Sequence, residues 1–119
     1  MEPIFNDNGR VVAWLRGDEV LELGGNHRAF VRGSDIISYH GGRHVGWFDQ
    51  GVFWDSGNLA IGMLREMTAL LPRPGLGGVP GRPGIGGRPG RPGLAGSPGK
   101  PGKSNSWSTQ DWDSWLPAR

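Results

Sequence analysis

The sequence contains no cysteine, which excludes a disulfide framework, a thiol nucleophile and a thiolate metal site. No run approaches the roughly 20 apolar residues of a spanning helix, so no membrane span is expected. The first residues, Met1-Glu2-Pro3-Ile4-Phe5, hold neither a basic n-region nor an apolar h-region; without a visible signal peptide, a cytoplasmic protein is expected. Catalytic signatures are also missing. There is no Ser/His/Asp logic and no Walker-type loop, and the glycine-rich stretch lacks the strand–helix context of a dinucleotide fingerprint. Asp18, Glu19, Asp35, Asp49 and Asp55 fall at predicted turns, where Asp supports the bend through side-chain hydrogen bonds. His40 and His44 flank one turn without a third ligand, a weak metal pattern, and His27 and His44 share a repeat position, which points to a structural role. The expectation is a non-enzymatic protein with no cofactor and no metal.

Charge is unevenly placed. The formal net charge is +2, yet residues 1–63 carry five Arg against eight acids, whereas 72–104 hold Arg73, Arg82, Arg88, Arg91, Lys100 and Lys103 with no acid. The front is acidic and the tail basic. Most of the 23 Gly and 10 Pro crowd into the second half, leaving a foldable part short enough to be marginal alone; oligomerisation or docked tail segments would help it.

That foldable part is repetitive. Gly9, Gly25, Gly42 and Gly57 recur at spacings of 16, 17 and 15 residues. Five residues before each stands a β-branched residue, namely Ile4, Val20, Ile37 and Val52. The turn sequences around the glycines supply the positive φ that tight hairpins need. A second set of turns (Arg16-Gly17-Asp18, Arg32-Gly33-Ser34-Asp35, Asp49-Gln50-Gly51) joins one hairpin to the next. Turn signals every eight residues or so between Val-, Ile-, Phe- and Trp-rich runs predict an all-β meander over 1–63. Ala13, Ala29 and Gly46 are small at one register, which suggests crowding where four copies meet; Trp14, Phe30 and Trp47 follow on the opposite face. The fourth repeat, with Ile61 and Gly62 at those positions, reads as degenerate.

The segments Gly9–Leu15, Gly25–Val31 and Gly42–Phe48, with Gly57–Met63 looser, resemble the bacterial 4-fold beta flower domain. The resemblance implies a compact, pseudo-fourfold all-β domain of four β-hairpin repeats, and carries no activity, cofactor or catalytic residue with it. MORN-like and WG-type repeats have similar composition and stay open as alternatives.

Behind the repeats lie three further segments. Residues 64–74 form a bridge, helical or irregular: apolar positions 64, 67, 70 and 71 fit two helical turns ended by Pro72. Residues 75–104 are ten uninterrupted Gly-X-Y triplets, a collagen-like pattern. Either three chains form a triple helix or, as the all-positive charge favours, the stretch is an extended or disordered tail reaching on the order of 90 Å at about 3.1 Å per residue. Residues 105–119 hold three of the six Trp; Ser108 and Asp111 suggest a capping box for a short helix presenting Trp112, Trp115 and Leu116 on one face.

Two functional readings follow. The first is a structural or protein-interaction module, self-associating or homo-oligomeric, whose head displays a spacer ending in a docking peptide with Trp107, Trp112, Trp115 and Leu116 as contacts. The same peptide could instead be a plug on its own domain. The second is binding of an anionic partner, nucleic acid or a membrane surface, through Arg73, Arg82, Arg88, Arg91, Lys100 and Lys103, although no aromatic interleaves them for base stacking.

Overall fold

Three of the four repeat glycines, Gly9, Gly25 and Gly42, take the positive φ expected of a hairpin turn. In a computed structural model, which describes residues 1–93, 99 and 104–116, the chain runs through β1 (Glu2–Phe5), β2 (Val11–Arg16), β3 (Glu19–Glu22), β4 (His27–Arg32), β5 (Asp35–Ser38), β6 (His44–Asp49), β7 (Val52–Asp55) and β8 (Ala60–Leu64). Each strand pairs antiparallel with the next, and β8 returns to β1 through Ile4↔Leu64 and Phe5↔Met63, closing a barrel. Closure leaves no sheet edge. The fold is all-β, as expected.

The fourfold repeat is written in the pairing itself. Ile4 faces Ala13, Val20 faces Ala29, Ile36 faces Gly46 and Phe53 faces Gly62, and the next pair in each hairpin skips one residue. The skipped residues Val12, Arg28, Val45 and Ile61 are β-bulges at one register, a device that coils a short sheet tightly enough to close. This register corrects two readings. The fourth repeat is not degenerate at the small position, because Gly62 is the equivalent of Ala13. Its turn residue is Asn58 rather than Gly57: Asn58 holds φ +60 and donates its N–H to the Asp55 carbonyl at 2.9 Å. Gly9 does the same to Asn6 at 3.0 Å, at φ +75. Asn tolerates the left-handed region, so the glycine spacing misplaced the turn by one. The partners of the small residues in the third and fourth repeats are Ile36 and Phe53.

One face of the strands fills the barrel. Ile4, Ala13, Leu15, Val20, Ala29, Ile36, Phe53 and Ile61 form a single buried cluster. The outward face is buried as well, with Trp14 and Phe30 each 1% exposed, and that face needs a second layer, which the rest of the chain provides. Residues 64–74 are irregular and not helical: Leu64 is drawn into β8 by pairing with Ile4, and the Thr68 N–H donates to the Gln50 carbonyl at 2.9 Å. Long-range backbone bonds outweigh the propensity of an eight-residue stretch, since short helices are marginal unaided. Met67, with Leu71 and Leu76, packs on the outward cluster of Phe5, Val11, Val52, Trp54 and Met63.

Over its described residues 75–93 the Gly-X-Y stretch is extended, but it does not project. It lies along the rim of the barrel formed by the hairpin turns. The Gly77 N–H donates to the Gly9 carbonyl at 2.8 Å, and nine residues later the Gly86 N–H donates to the Gly25 carbonyl at 2.9 Å. Pro92 and Gly93 reach Gly42 of the third repeat, and the Ser104 hydroxyl donates to the Asn58 carbonyl of the fourth at 2.8 Å. The molecule is a disc measuring 36 × 36 × 22 Å, a quarter of whose perimeter is about 28 Å, the span of nine residues at about 3.1 Å each. Three triplets therefore carry the strand one repeat onward. The tryptophan-rich end meets the beginning of the belt, where the Trp107 indole donates to the Pro72 carbonyl at 2.7 Å.

Candidate functional site

The turn-side rim is where the barrel, the belt and the tryptophan-rich end meet. A short helix, α1 (Trp112–Trp115), sits there. Its N-cap is Asp111, whose carboxylate accepts the Ser114 N–H at 2.7 Å and is held below its usual range by Ser114. The cap expected at Ser108 does not form, because residues 106–108 run beside the start of β8. Ala60 donates to the Ser106 carbonyl at 3.0 Å and accepts from the Ser108 N–H at 2.7 Å. Asp111, read as the partner of a capping box, is itself the cap.

Trp112, Trp115 and Leu116 enter the mouth of the barrel and join its core cluster, at 5%, 7% and 4% exposure. Trp112 packs edge-on against Phe53 with centroids 5.7 Å apart. It also stands over Gly62, where a Cβ would come within 2.7 Å of its ring. The Trp115 indole donates to the carbonyl of the bulge residue Val45 at 2.9 Å. Trp107 lies outside, against the outward cluster. Of the four residues singled out in the sequence, three are brought together in the barrel mouth and Trp107 is set apart on the outward face, and all four contact the chain's own barrel.

The basic residues behave similarly. The Arg91 guanidinium stacks 4.4 Å from the Phe30 ring centroid and donates to Asp18 at 2.9 Å and Glu19 at 2.6 Å. Glu19 is 5% exposed and also accepts the Tyr39 hydroxyl at 2.7 Å, with His27 3.7 Å away. The hydrogen bond from Arg91 depresses the Asp18 pKa, and its acidic neighbours raise that of Arg91. Burial, reinforced by Glu19, pushes the Tyr39 phenol above its ordinary value. Arg88 approaches Glu19 at 4.0 Å, and Arg73 donates to the carbonyls of Arg65 at 2.6 Å and Met67 at 3.1 Å. Arg82 is exposed; Lys100 and Lys103 lie outside the described residues. The positive tail and the acidic head therefore partly neutralise each other within one chain.

The histidines follow their repeat positions. His44 bonds Asp35 at 2.9 Å as His27 sits beside Glu19, so each turns to an acid of the preceding strand. Among the described residues no cluster of three or more His, Asp or Glu is arranged to hold a metal ion. A cleft of about 510 Å³ opens between the first two hairpin turns and α1, lined by Asn6, Arg10, Glu22, Arg28 and Trp112 among others. The Arg28–Glu22 ion pair spans part of its wall.

The residues that sequence reasoning missed are the acceptors Gly9 and Gly25, the donors Gly77 and Gly86, and the Asp18–Glu19–Phe30–Tyr39 seat for Arg91. A signal existed. Residues 75–83, 84–92 and 93–101 repeat the nonapeptide Gly-(Leu/Ile)-(Gly/Ala)-Gly-x-Pro-Gly-(Arg/Lys)-Pro, a period of nine laid over the period of three. The third-position glycines stand where proline could not donate.

The model of the family described as 4-fold beta flower protein matches residues 2–116, and the chain belongs to that family. The match runs through the belt and the plug, well beyond the four hairpins. No curated protein and no solved structure matches the chain.

Proposed function

We propose that this 4-fold beta flower protein is a non-enzymatic structural module in which the glycine–proline strand is a built-in belt and the tryptophan-rich end a built-in plug. The observation that carries this reading is the matched spacing of the belt. Donors nine residues apart, Gly77 and Gly86, meet acceptors sixteen residues apart, Gly9 and Gly25. A spacer whose task is reach has no need of such commensurability. Binding to an anionic polymer is the weaker reading, because Arg91 and Arg73 are engaged by acceptors of the same chain.

The test is the double substitution Gly77→Pro with Gly86→Pro. Proline already fills the third position of six triplets, and in a solvated spacer it would be neutral or slightly stabilising through the unfolded state. In a belt it deletes two hydrogen bonds worth about 1 kcal/mol each. The expected result is a melting temperature lower by several degrees; an unchanged or raised one overturns the belt. Truncation after Lys103 tests the plug, with loss of thermal stability as the expected outcome.

A further inference from the structure

The plug covers the turn-side mouth of the barrel unevenly. Trp112 stands over Gly62 and packs against Phe53, both of the fourth repeat. The Trp115 indole donates to the carbonyl of Val45, the bulge residue of the third repeat, at 2.9 Å. Val12 is the bulge residue of the first repeat, at the register of Val45. It lines the cleft of about 510 Å³ between the first two turns and α1, a volume within the range of small-molecule sites.

The second hairpin departs from the others in a way that builds this cleft. Asn6, Ser38 and Asp55 stand at one register and bond the N–H groups of their own turns at Asn8, His40 and Gly57. Glu22 holds the same place, but its carboxylate takes the Asn26 side chain at 2.7 Å and the Arg28 guanidinium instead. Asp111 is engaged by the Ser114 N–H. Two charges of the lining stay unanswered. Arg10 of the first turn and Asp113 of α1 are exposed, and among the described residues neither side chain has a hydrogen-bond or ion-pair partner. Apolar surface comes from Leu23, 43% exposed, and from Trp112.

We propose that this cleft is a binding site for a small aromatic zwitterion of the tryptophan type. Its carboxylate pairs with Arg10 and its ammonium with Asp113, as charge-assisted hydrogen bonds. Its ring N–H donates to the Val12 carbonyl, as the Trp115 indole does to that of Val45. The chain fills one bulge with its own indole and leaves the equivalent one to a ligand. Because α1 forms a wall of the cleft, the site rests on the plug reading.

The probe is L-tryptophan, titrated by isothermal calorimetry into the full-length chain. Three relatives each lack one group: 3-indolepropionate the ammonium, tryptamine the carboxylate, and 1-methyltryptophan the ring N–H. Saturable binding of tryptophan is expected, about fivefold tighter than that of any relative. Arg10→Gln should weaken tryptophan about fivefold and leave tryptamine unchanged, and Asp113→Asn should weaken it as much and leave 3-indolepropionate unchanged. Both side chains are exposed, so near-ultraviolet circular dichroism of each variant should match wild type. No saturation with tryptophan at millimolar concentration, or equal affinity for all four probes, overturns the site. Wild-type affinity in both variants overturns the zwitterion, and 1-methyltryptophan binding as tightly as tryptophan overturns the Val12 carbonyl as acceptor. Failure of the plug reads differently: truncation after Lys103 would then leave the melting temperature unchanged. A stabilising plug with no tryptophan bound sinks the site alone.

Discussion

Two glycines with nearly the same backbone carry different duties. Gly9 and Gly17 have φ of +75 and +62. Nothing lies within 4 Å of a Cβ added at Gly17, whereas at Gly9 that atom would stand 1.7 Å from the Gly75 carbonyl oxygen. Gly17→Ala should therefore cost only the left-handed strain, about 1–2 kcal/mol, and Gly9→Ala should cost that and displace the belt. Urea denaturation of the two variants measures the difference, and equal losses would mean the belt contributes nothing at this turn. A second residue-scale prediction uses the chain's one tyrosine. A raised pKa favours the protonated phenol in the fold, so its stabilisation is present below the ordinary 10.0 and is lost as pH rises through the folded value. Absorbance titration should place Tyr39 ionisation above 10.0. Arg91 pulls in the opposite direction, so Arg91→Gln should move it higher still.

At the scale of the element, the belt is a ruler. Deleting residues 78–80 keeps an unbroken Gly-X-Y pattern but leaves the strand about 9 Å short of the second repeat. The expected outcome is lower thermal stability and faster proteolysis of the tail. Replacing residues 84–92 with a copy of 75–83 keeps the third-position N–H and the Arg of the eighth position, and should stay close to wild type. A linker would respond to neither change. The nonapeptide period was legible in the residues, as were the hairpins, because turn chemistry and strand alternation are local. Which of the two forms open to 64–74, helical or irregular, the chain would take was not, since Leu64 and Thr68 take their backbone partners from β1 and from the turn at Gln50, far away in sequence. Asn58 hid the fourth turn for a different reason: a left-handed asparagine beside a glycine looks like the glycine's neighbour.

For the whole molecule the radius of gyration is 13.3 Å, close to the roughly 13.5 Å expected for a compact chain of this length. Small-angle scattering should return a compact disc at low concentration. A tail extended by tens of ångströms would raise the value well above that and would refute the belt at the largest scale. The wrapping also explains how so short a barrel is stable. Its outward face carries Phe5, Trp14, Phe30 and Trp54, each at most 1% exposed, and a barrel without a second layer would present such rings to water.

The sequence by itself determined the repeats, the all-β character, the extended habit of the glycine–proline stretch and the apolar stripe of the last helix. Each of these rests on short-range chemistry: positive φ at turns, alternation along strands, a period of three, an i, i+3 pair of tryptophans. Only the tertiary structure decided where the tail goes. Its direction depends on a match between nine extended residues and one quarter of the barrel's perimeter, and on carbonyls at Gly9 and Gly25 that become available only when the hairpins stand in a ring. Those quantities belong to the closed barrel, and no window of the chain contains them.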